Sequence, residues 1–154
     1  LAILMGFITL LLCSCSKESK FGVQQFVERM NEAFETDYNT NEFMLSEKND
    51  ENILFLTRES NMITLILDKD NNINGISLLI TADGNIENSK KLYCQMCSIL
   101  TGNNYENQLK IFNDSEFFSD KIKFADGNSV ITVGRYKYTI VSNDYAITFF
   151  CDKN

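Results

Sequence analysis

The chain of 154 residues contains no histidine, no proline and no tryptophan. The lack of histidine removes the commonest general base and the usual partner of a nucleophilic serine or cysteine. It also argues against a catalytic zinc site, because such sites normally depend on imidazole ligands. Carboxylates and lysines remain, so catalysis is disfavoured without being excluded. We expect neither a metal nor a cofactor.

Positive charge is scarce: 14 lysines and arginines against 21 acidic residues give a net charge of −7. Residues 1–14 carry no charge, so the whole imbalance belongs to the rest of the chain. An acidic protein is repelled by nucleic-acid phosphates and by anionic lipid headgroups. We therefore expect no nucleic-acid partner, and we expect membrane attachment to depend on something other than a polybasic patch.

The first 14 residues are almost entirely apolar. This segment is too short for a spanning helix, which needs about 20 residues, and it fits the apolar region of a signal peptide. The chain begins with Leu1 and shows no positively charged region before the apolar run. We expect that a few further residues, including a lysine or an arginine, precede Leu1.

The apolar run ends in Leu12-Cys13-Ser14-Cys15. This motif resembles the lipobox of bacterial lipoproteins, in which an aliphatic residue and a small residue precede an invariant cysteine. The resemblance implies that Leu12 is the aliphatic residue, that Ser14 precedes the cleavage site and that Cys15 receives a diacylglycerol. Cys13 departs from the pattern at a position that tolerates variety. The polar residues 16–20 suit a tether that leaves the membrane surface.

The resemblance also implies an organisation of the chain: residues 1–14 as a signal peptide, 15–20 as a lipidated tether and 21–154 as one domain. The domain would then lie on the extracytoplasmic face of the cell membrane. Each buried methylene contributes about 0.8 kcal/mol, so two or more acyl chains hold a protein firmly. An ordinary cleaved secretion signal and an uncleaved membrane anchor are the alternatives.

Hydrophobic periodicity behind the tether predicts an α+β fold. Helices are expected at 21–34 and 86–100, with a shorter one around Tyr105, Leu109 and Phe112. Strands are expected at 43–45, 53–56, 62–67, 73–80, 121–124, 130–133, 136–141 and 145–151. Short turns between successive strands favour antiparallel pairing. The pattern thus predicts an antiparallel sheet, or sheets, of two β-meanders, with an N-terminal helix and one or two central helices.

Cys94 and Cys97 form a C-x-x-C motif within the second predicted helix. A structural zinc site needs about four ligands, and no second such motif completes the set. A redox motif of the thioredoxin type would stand at a helix N-terminus, where the dipole lowers the thiol pKa. We interpret the pair as small buried residues. A disulfide with Cys151 is a further hypothesis, because an exported chain can meet oxidants.

Asp70, Asn72, Asn74 and Gly75 match the first half of a calcium-binding loop. The twelfth position of such a loop should be a bidentate glutamate, but here it is Thr81. The flanking segments are predicted strands, so we interpret these residues as the polar tip of a hairpin.

Two further groups of side chains are candidate surfaces. An exposed face of tyrosines in the last strands could stack on sugars or grip a peptide, although aromatic residues in strands more often pack against neighbours. The glutamates of the first helix are expected on its solvated side. The residues are Tyr136, Tyr138 and Tyr145, and Glu28, Glu32 and Glu35.

These observations favour a non-enzymatic envelope domain that binds a protein partner or a small ligand. The alternative is a small envelope enzyme that uses carboxylates or the thiols of Cys94 and Cys97. A flat sheet face without a cleft would support the first hypothesis. A cleft with convergent acidic groups, or a reactive thiol at Cys94, would support the second.

Overall fold

The computed structural model describes residues 21–48, 51–119 and 122–154, so the predicted signal peptide, lipobox and tether lie outside the described residues. The described part forms the predicted α+β fold: three α-helices and one antiparallel sheet of seven strands. The helices are α1 (Val23–Phe34), α2 (Ile86–Thr101) and α3 (Tyr105–Asp114). The strands are β1 (Met44–Lys48), β2 (Glu51–Arg58), β3 (Asn61–Leu67), β4 (Ile73–Thr81), β5 (Gly127–Val133), β6 (Tyr136–Ser142) and β7 (Ala146–Lys153).

The two predicted meanders are halves of a single sheet. The strand order is β1-β2-β3-β4-β7-β6-β5, so the last strand of the first meander pairs with the last strand of the second. In this central pair, Ile76 lies opposite Cys151 and Leu78 opposite Phe149. Because residues opposite each other across an antiparallel pair point to the same face, the register aligns the apolar positions of both meanders.

Capping residues mark the starts of α2 and α3 and the end of α2. The side chains of Asn85 and Asn104 accept hydrogen bonds from backbone N–H groups in the first turns of α2 and α3, at 3.0 and 2.8 Å. Helix α2 is capped at its C-terminus by Gly102, whose φ of 76° lies in the left-handed region that favours glycine. Helix α1 is amphipathic and buries Phe26 and Met30.

All three helices contribute to one core on a single face of the sheet, here called the covered face. Tyr93 of α2 stacks on Phe149 of β7 at 5.1 Å between ring centroids, and Phe112 of α3 meets Tyr138 of β6 at the same distance. The hydroxyl of Tyr93 donates to the carbonyl of Phe150. The core also holds Phe26, Val27 and Met30 of α1.

The strand predicted at 121–124 is wrong for the residues that the structure describes. The N–H of Ile122 donates to the carbonyl of Ser119 at 3.1 Å, and the N–H of Ala125 donates to that of Lys123 at 2.8 Å. The segment is therefore a series of local turns that leads into β5. Its apolar side chains, Ile122 and Phe124, pack against the core without strand pairing.

No helix among the residues described is both long enough and apolar enough to cross a membrane.

Candidate functional site

The second face of the sheet, here called the open face, carries side chains that lie outside the core contributed by the helices. Its residues alternate along each strand with those of the covered face. Threonine and serine hydroxyls alternate with apolar side chains across the strands. Two of the cross-strand rows are Phe55-Thr64-Ser77-Phe150-Thr139-Val130 and Thr57-Met62-Leu79-Thr148-Val141-Asn128.

Exposure of the open face rises from its centre to its edges. Ser77, in the central strand, is buried, and Phe150 beside it is half-buried. Towards the edges, Met44, Val130 and Val141 are 56%, 52% and 45% exposed. Exposed apolar groups that adjoin one another on a sheet mark an interaction surface more often than isolated ones do.

The open face is almost free of charge. Among the side chains that the structure describes, only Lys137 and Asp152 carry charge on this face, and they lie opposite each other in register. The side chain of Asp152 also lies beside Gly75: a Cβ atom at Gly75 would lie 2.8 Å from the Oδ1 atom of Asp152. A side chain at Gly75 would therefore displace Asp152. The open face can meet an uncharged surface without burying an unmatched charge.

The size of the open face suits a protein partner better than a small ligand. Seven strands spaced about 4.8 Å apart, with a rise of about 3.3 Å per residue, cover about 700 Å². One partner of a stable protein interface buries about 800 Å². Small ligands instead bind in concave sites, and the described pockets of the chain are lined by residues away from this face, except that Asn128 at its edge also lines one of them.

The three cysteines singled out in the sequence all lie in the core. Cys94, Cys97 and Cys151 are fully buried free thiols. Cys97, Cys151 and Tyr93 are neighbours in this core. Both Cys94 and Cys97 are buried, which agrees with their interpretation as small buried residues.

Burial also makes these thiols poor nucleophiles, because the thiolate is the reactive form. Desolvation raises the pKa of Cys94 to about 12. Desolvation and the neighbouring Cys151 thiol raise the pKa of Cys97 well above its usual value. Both thiols are therefore protonated at neutral pH. Within the described ranges, no three acidic or cysteine side chains are grouped so that they could hold a metal ion.

The residues that match a calcium loop form a turn organised by a different carboxylate. Asp68 accepts hydrogen bonds at 2.9 Å from the N–H groups of Asp70 and Asn72. Burial opposes ionisation of Asp68, but these hydrogen bonds outweigh it and lower its pKa. Gly75 lies within β4. The structure thus supports the interpretation as a hairpin tip.

The candidate tyrosines do not form one exposed face. Tyr136 and Tyr138 point into the core from β6, whereas Tyr145, in the turn before β7, is 79% exposed. The hydroxyl of Tyr136 donates to the carbonyl of Leu100 at 3.2 Å. The glutamates Glu28 and Glu32 are exposed on α1, as predicted.

Sequence reasoning missed an ionic cluster at the end of β2. The guanidinium of Arg58 donates to Asp37 at 2.5 Å and to Glu42 at 2.9 Å, and it lies 4.7 Å from the ring centroid of Tyr38. These partners are 16 to 21 positions away in the chain, so no local spacing marks them. Hydrogen bonding and the positive charge of Arg58 lower the pKa of Asp37.

The open face is also absent from the predictions made from the sequence, although the sequence contains a pattern that indicates it. Strands β3, β4 and β7 carry apolar residues at consecutive positions, as in Leu78-Leu79-Ile80 and Phe149-Phe150. Such runs place apolar side chains on both faces of a strand.

No protein-family model matches the chain, and neither a curated protein nor a solved structure matches it.

Proposed function

We propose that the protein is a lipid-anchored lipoprotein of the bacterial envelope and that its domain acts by binding another protein rather than by catalysis. Cys15 carries the anchor, and the open face is the binding surface. The observation that carries the second part is a wide, nearly uncharged sheet face that lies outside the core. The anchor rests on the lipobox resemblance of Leu12-Cys13-Ser14-Cys15.

The chemistry of the open face defines the partner as a folded protein with an apolar, uncharged surface. A charged partner would lose hydration at the contact without gaining an opposite charge, because Lys137 and Asp152 already lie opposite each other. Hydroxyls of Thr64, Thr139 and Thr148 can donate to the partner at the positions between the apolar contacts.

The enzymatic alternative receives less support from the geometry. A nucleophilic cysteine needs access and a lowered pKa, whereas Cys94 is buried and its pKa is raised to about 12. In the ionic cluster, Arg58 pairs with both Asp37 and Glu42, and the pKa values of both carboxyls are lowered, so each of them is a weaker base than a free carboxylate.

Fractionation of native cells tests the anchor. Wild-type protein should sediment with the membrane and carry the mass of a diacylglycerol on Cys15. A Cys15→Ser variant should lose that mass and leave the membrane fraction or accumulate unprocessed. Identical fractionation of both proteins, without added mass on the wild type, would rule out the anchor.

Photocrosslinking in intact cells tests the surface. A photoreactive phenylalanine analogue is placed at Phe55 or at Phe150 on the open face, and at Tyr145 in the exposed turn as the control. Both open-face positions should give an adduct with the same envelope protein, identified by mass spectrometry, and Tyr145 should give none. A Leu79→Lys substitution should remove both adducts. An adduct of twice the chain's own mass would assign the face to a second copy, and no adduct at either position would overturn the proposal.

A further inference from the structure

Strand β5 forms an open edge of the sheet. It is last in the strand order and pairs with β6 along one side. Within the described ranges, no backbone hydrogen bond joins β5 to a segment other than β6. The backbone N–H and C=O groups along such an edge are a template for pairing with a further strand.

Every second residue of β5 directs its backbone groups away from β6. The carbonyl of Arg135, just before β6, accepts a hydrogen bond from the N–H of Asn154, just after β7. Successive residues of a strand between two others bond alternately to one neighbour and to the other. Tyr136 therefore bonds to Val133 of β5, and the same holds for every second pair beyond it. The residues of β5 whose N–H and C=O groups point outward are Asn128, Val130 and Thr132.

The edge of β5 lacks the features that usually prevent pairing between sheet edges. Natural edge strands are short, or they carry charged residues, proline or a bulge. Strand β5 has seven residues, and none of them is charged or is proline. Its register with β6 is continuous and contains no bulge. Val130 and Val133 are exposed, so apolar surface accompanies the outward backbone groups.

The opposite edge of the sheet, formed by β1, has a different character. Strand β1 has five residues, and its sequence ends in Glu47 and Lys48. Charged residues on an edge strand oppose pairing with another chain. An isologous contact uses the same edge of both copies. Pairing through β5 would therefore leave only the β1 edges for further growth and would stop at two copies.

The sequence of β5 suits antiparallel pairing with a second copy of itself. A two-fold axis perpendicular to the sheet at Val130 would place the two copies of this valine opposite each other. The other opposed pairs would be Asn128 with Thr132 and Ser129 with Ile131. Pairs of β-branched residues and hydrogen-bonded polar pairs are favourable across strands. The nearest acidic residue, Asp126, precedes the strand, and its two copies would lie at opposite ends of the contact.

The same two-fold axis is compatible with the anchor proposed above. Helix α1 packs on the covered face, and Phe21, just before it, packs against the same core. The described chain therefore begins on the covered side of the sheet. An axis perpendicular to the sheet keeps the covered faces of both copies on one side. If Cys15 is lipidated, both anchors can enter one membrane, and the two open faces form a continuous surface directed away from it.

We propose that two copies of the chain pair through β5 into one continuous antiparallel sheet. Seven paired residues extend about 23 Å, and with a sheet thickness of about 10 Å the contact covers about 230 Å² per copy. A stable interface buries about 800 Å² per partner, so the dimer is weak and dissociates on dilution. Confinement to a membrane raises the effective concentration of the copies. That contribution rests on the anchoring proposed above, whereas the pairing itself does not.

A cysteine on the proposed axis tests the pairing in intact cells. Opposed residues that exchange backbone hydrogen bonds have Cα atoms about 5.5 Å apart, which a disulfide can span. Under mild oxidation, full-length protein with Val130→Cys should give a covalent dimer, seen at twice the mass on a non-reducing gel. Wild-type protein, whose three described cysteines are buried, should give none. Absence of the Val130→Cys dimer would overturn the proposal.

The control places the same change on the neighbouring strand. Val141 of β6 is also an exposed valine, but its two copies would be separated by at least three strand spacings, or about 14 Å. Val141→Cys should therefore give at least tenfold less covalent dimer than Val130→Cys. Equal yields at the two positions would indicate random collision and would overturn the pairing.

A backbone change separates strand pairing from contacts between side chains. Thr132→Pro removes an outward N–H group and no hydrogen bond to β6, and edge strands tolerate proline at such positions. Added to Val130→Cys, it should lower the dimer yield at least tenfold. Thr132→Val keeps the N–H group and should leave the yield within about twofold. Equal yields from the two variants would overturn strand pairing. Circular dichroism and urea midpoints verify that each variant is folded.

The same cells distinguish failure of the dimer from failure of the proposed function. Cys15→Ser added to Val130→Cys should lower the dimer yield, because the copies are no longer confined to the membrane. An unchanged yield would retain the pairing and overturn the contribution of the anchor. Absence of the Val130→Cys dimer together with photocrosslinks from Phe55 and Phe150 would overturn the pairing and retain the open face as the binding surface.

Discussion

The two faces of the sheet differ sharply although they are built from the same strands. Phe149 and Phe150 are consecutive in β7, and their side chains point in opposite directions. Phe149 is fully buried beneath Tyr93, whereas Phe150 lies half-buried on the open face among threonine and serine side chains. The covered face stabilises the fold. The open face keeps apolar surface that the described helices do not cover, and this is the surface that we propose as the binding site for a partner.

The largest expected difference follows from that pair of phenylalanines. Phe149→Ala should lower the free energy of unfolding by about 3–5 kcal/mol, because it removes a fully buried ring and leaves a cavity. Phe150→Ala should cost about 1 kcal/mol or less, because its ring keeps contact with water. Urea unfolding followed by circular dichroism measures both. Similar losses would mean that the open face is covered as thoroughly as the other one.

The buried thiols test how tightly the covered face is closed. At pH 8 a thiol reagent should modify Cys94, Cys97 and Cys151 at least about a hundredfold more slowly in the native protein than in urea, because labelling requires unfolding. Rapid labelling of Cys94 in the native protein would contradict this packing. It would also revive the hypothesis of a reactive thiol.

The raised pKa of a buried thiol makes the protein less stable as the pH becomes alkaline. The pKa of Cys94 is raised to about 12 in the folded state, compared with about 8.5 in an unfolded chain. The folded state therefore holds the proton of Cys94 more tightly than the unfolded chain does. The resulting stabilisation is fully present below the unfolded pKa and is lost as the pH rises from about 8.5 towards 12. The urea midpoint should therefore fall between pH 7.5 and pH 10. A Cys94→Ser variant, which has no titrating thiol at this position, should show a smaller fall.

Much of this fold could be predicted from local sequence patterns. Asn85 and Gly102 mark the ends of α2, and the apolar runs at 62–67 and 73–80 mark the β3–β4 hairpin. The pairing of β4 with β7 could not be predicted, because it joins residues such as Leu78 and Phe149 whose contact leaves no periodic signal. Apolar residues at 122 and 124 suggested a strand because periodicity reports burial and not hydrogen bonding.

The candidate surfaces were harder to predict than the fold. The ionic cluster joins Arg58 at the end of β2 to Asp37 and Glu42, which precede β1, so it exists only after the chain is folded. The exposed tyrosine face was expected from spacing alone, but the same alternation fits the covered face, where Tyr136 and Tyr138 lie. A period of two shows that the faces differ without showing which of them the helices cover.

One hydroxyl in the core is hydrogen-bonded to the backbone of β7, at a residue whose side chain lies on the open face. The hydroxyl of Tyr93 donates to the carbonyl of Phe150 from within the core. Tyr93→Phe should lower the free energy of unfolding by about 1–2 kcal/mol, because the carbonyl loses a buried partner while the ring packing is kept. Urea unfolding measures this change. An unchanged midpoint would show that the carbonyl is satisfied by other means.

The smallest effect is expected at Arg58, the centre of the ionic cluster at the end of β2. Its charge and hydrogen bond lower the pKa of Asp37, and the N–H of Asn39, followed by Arg58, lowers that of Glu42. A lowered carboxyl pKa stabilises the fold above the unfolded value of about 4, and the contribution disappears as pH falls through the folded value. Arg58→Gln should therefore lower the urea midpoint slightly at pH 7, and the difference should shrink as the pH falls below about 4. Lys91→Gln, at an exposed lysine of α2, should show no such pH-dependent difference. If Arg58→Gln lowered the free energy of unfolding at pH 7 as much as Phe149→Ala does, the ionic cluster would be among the main stabilising contacts. The contrast between the covered face and the rest of the molecule would then be lost.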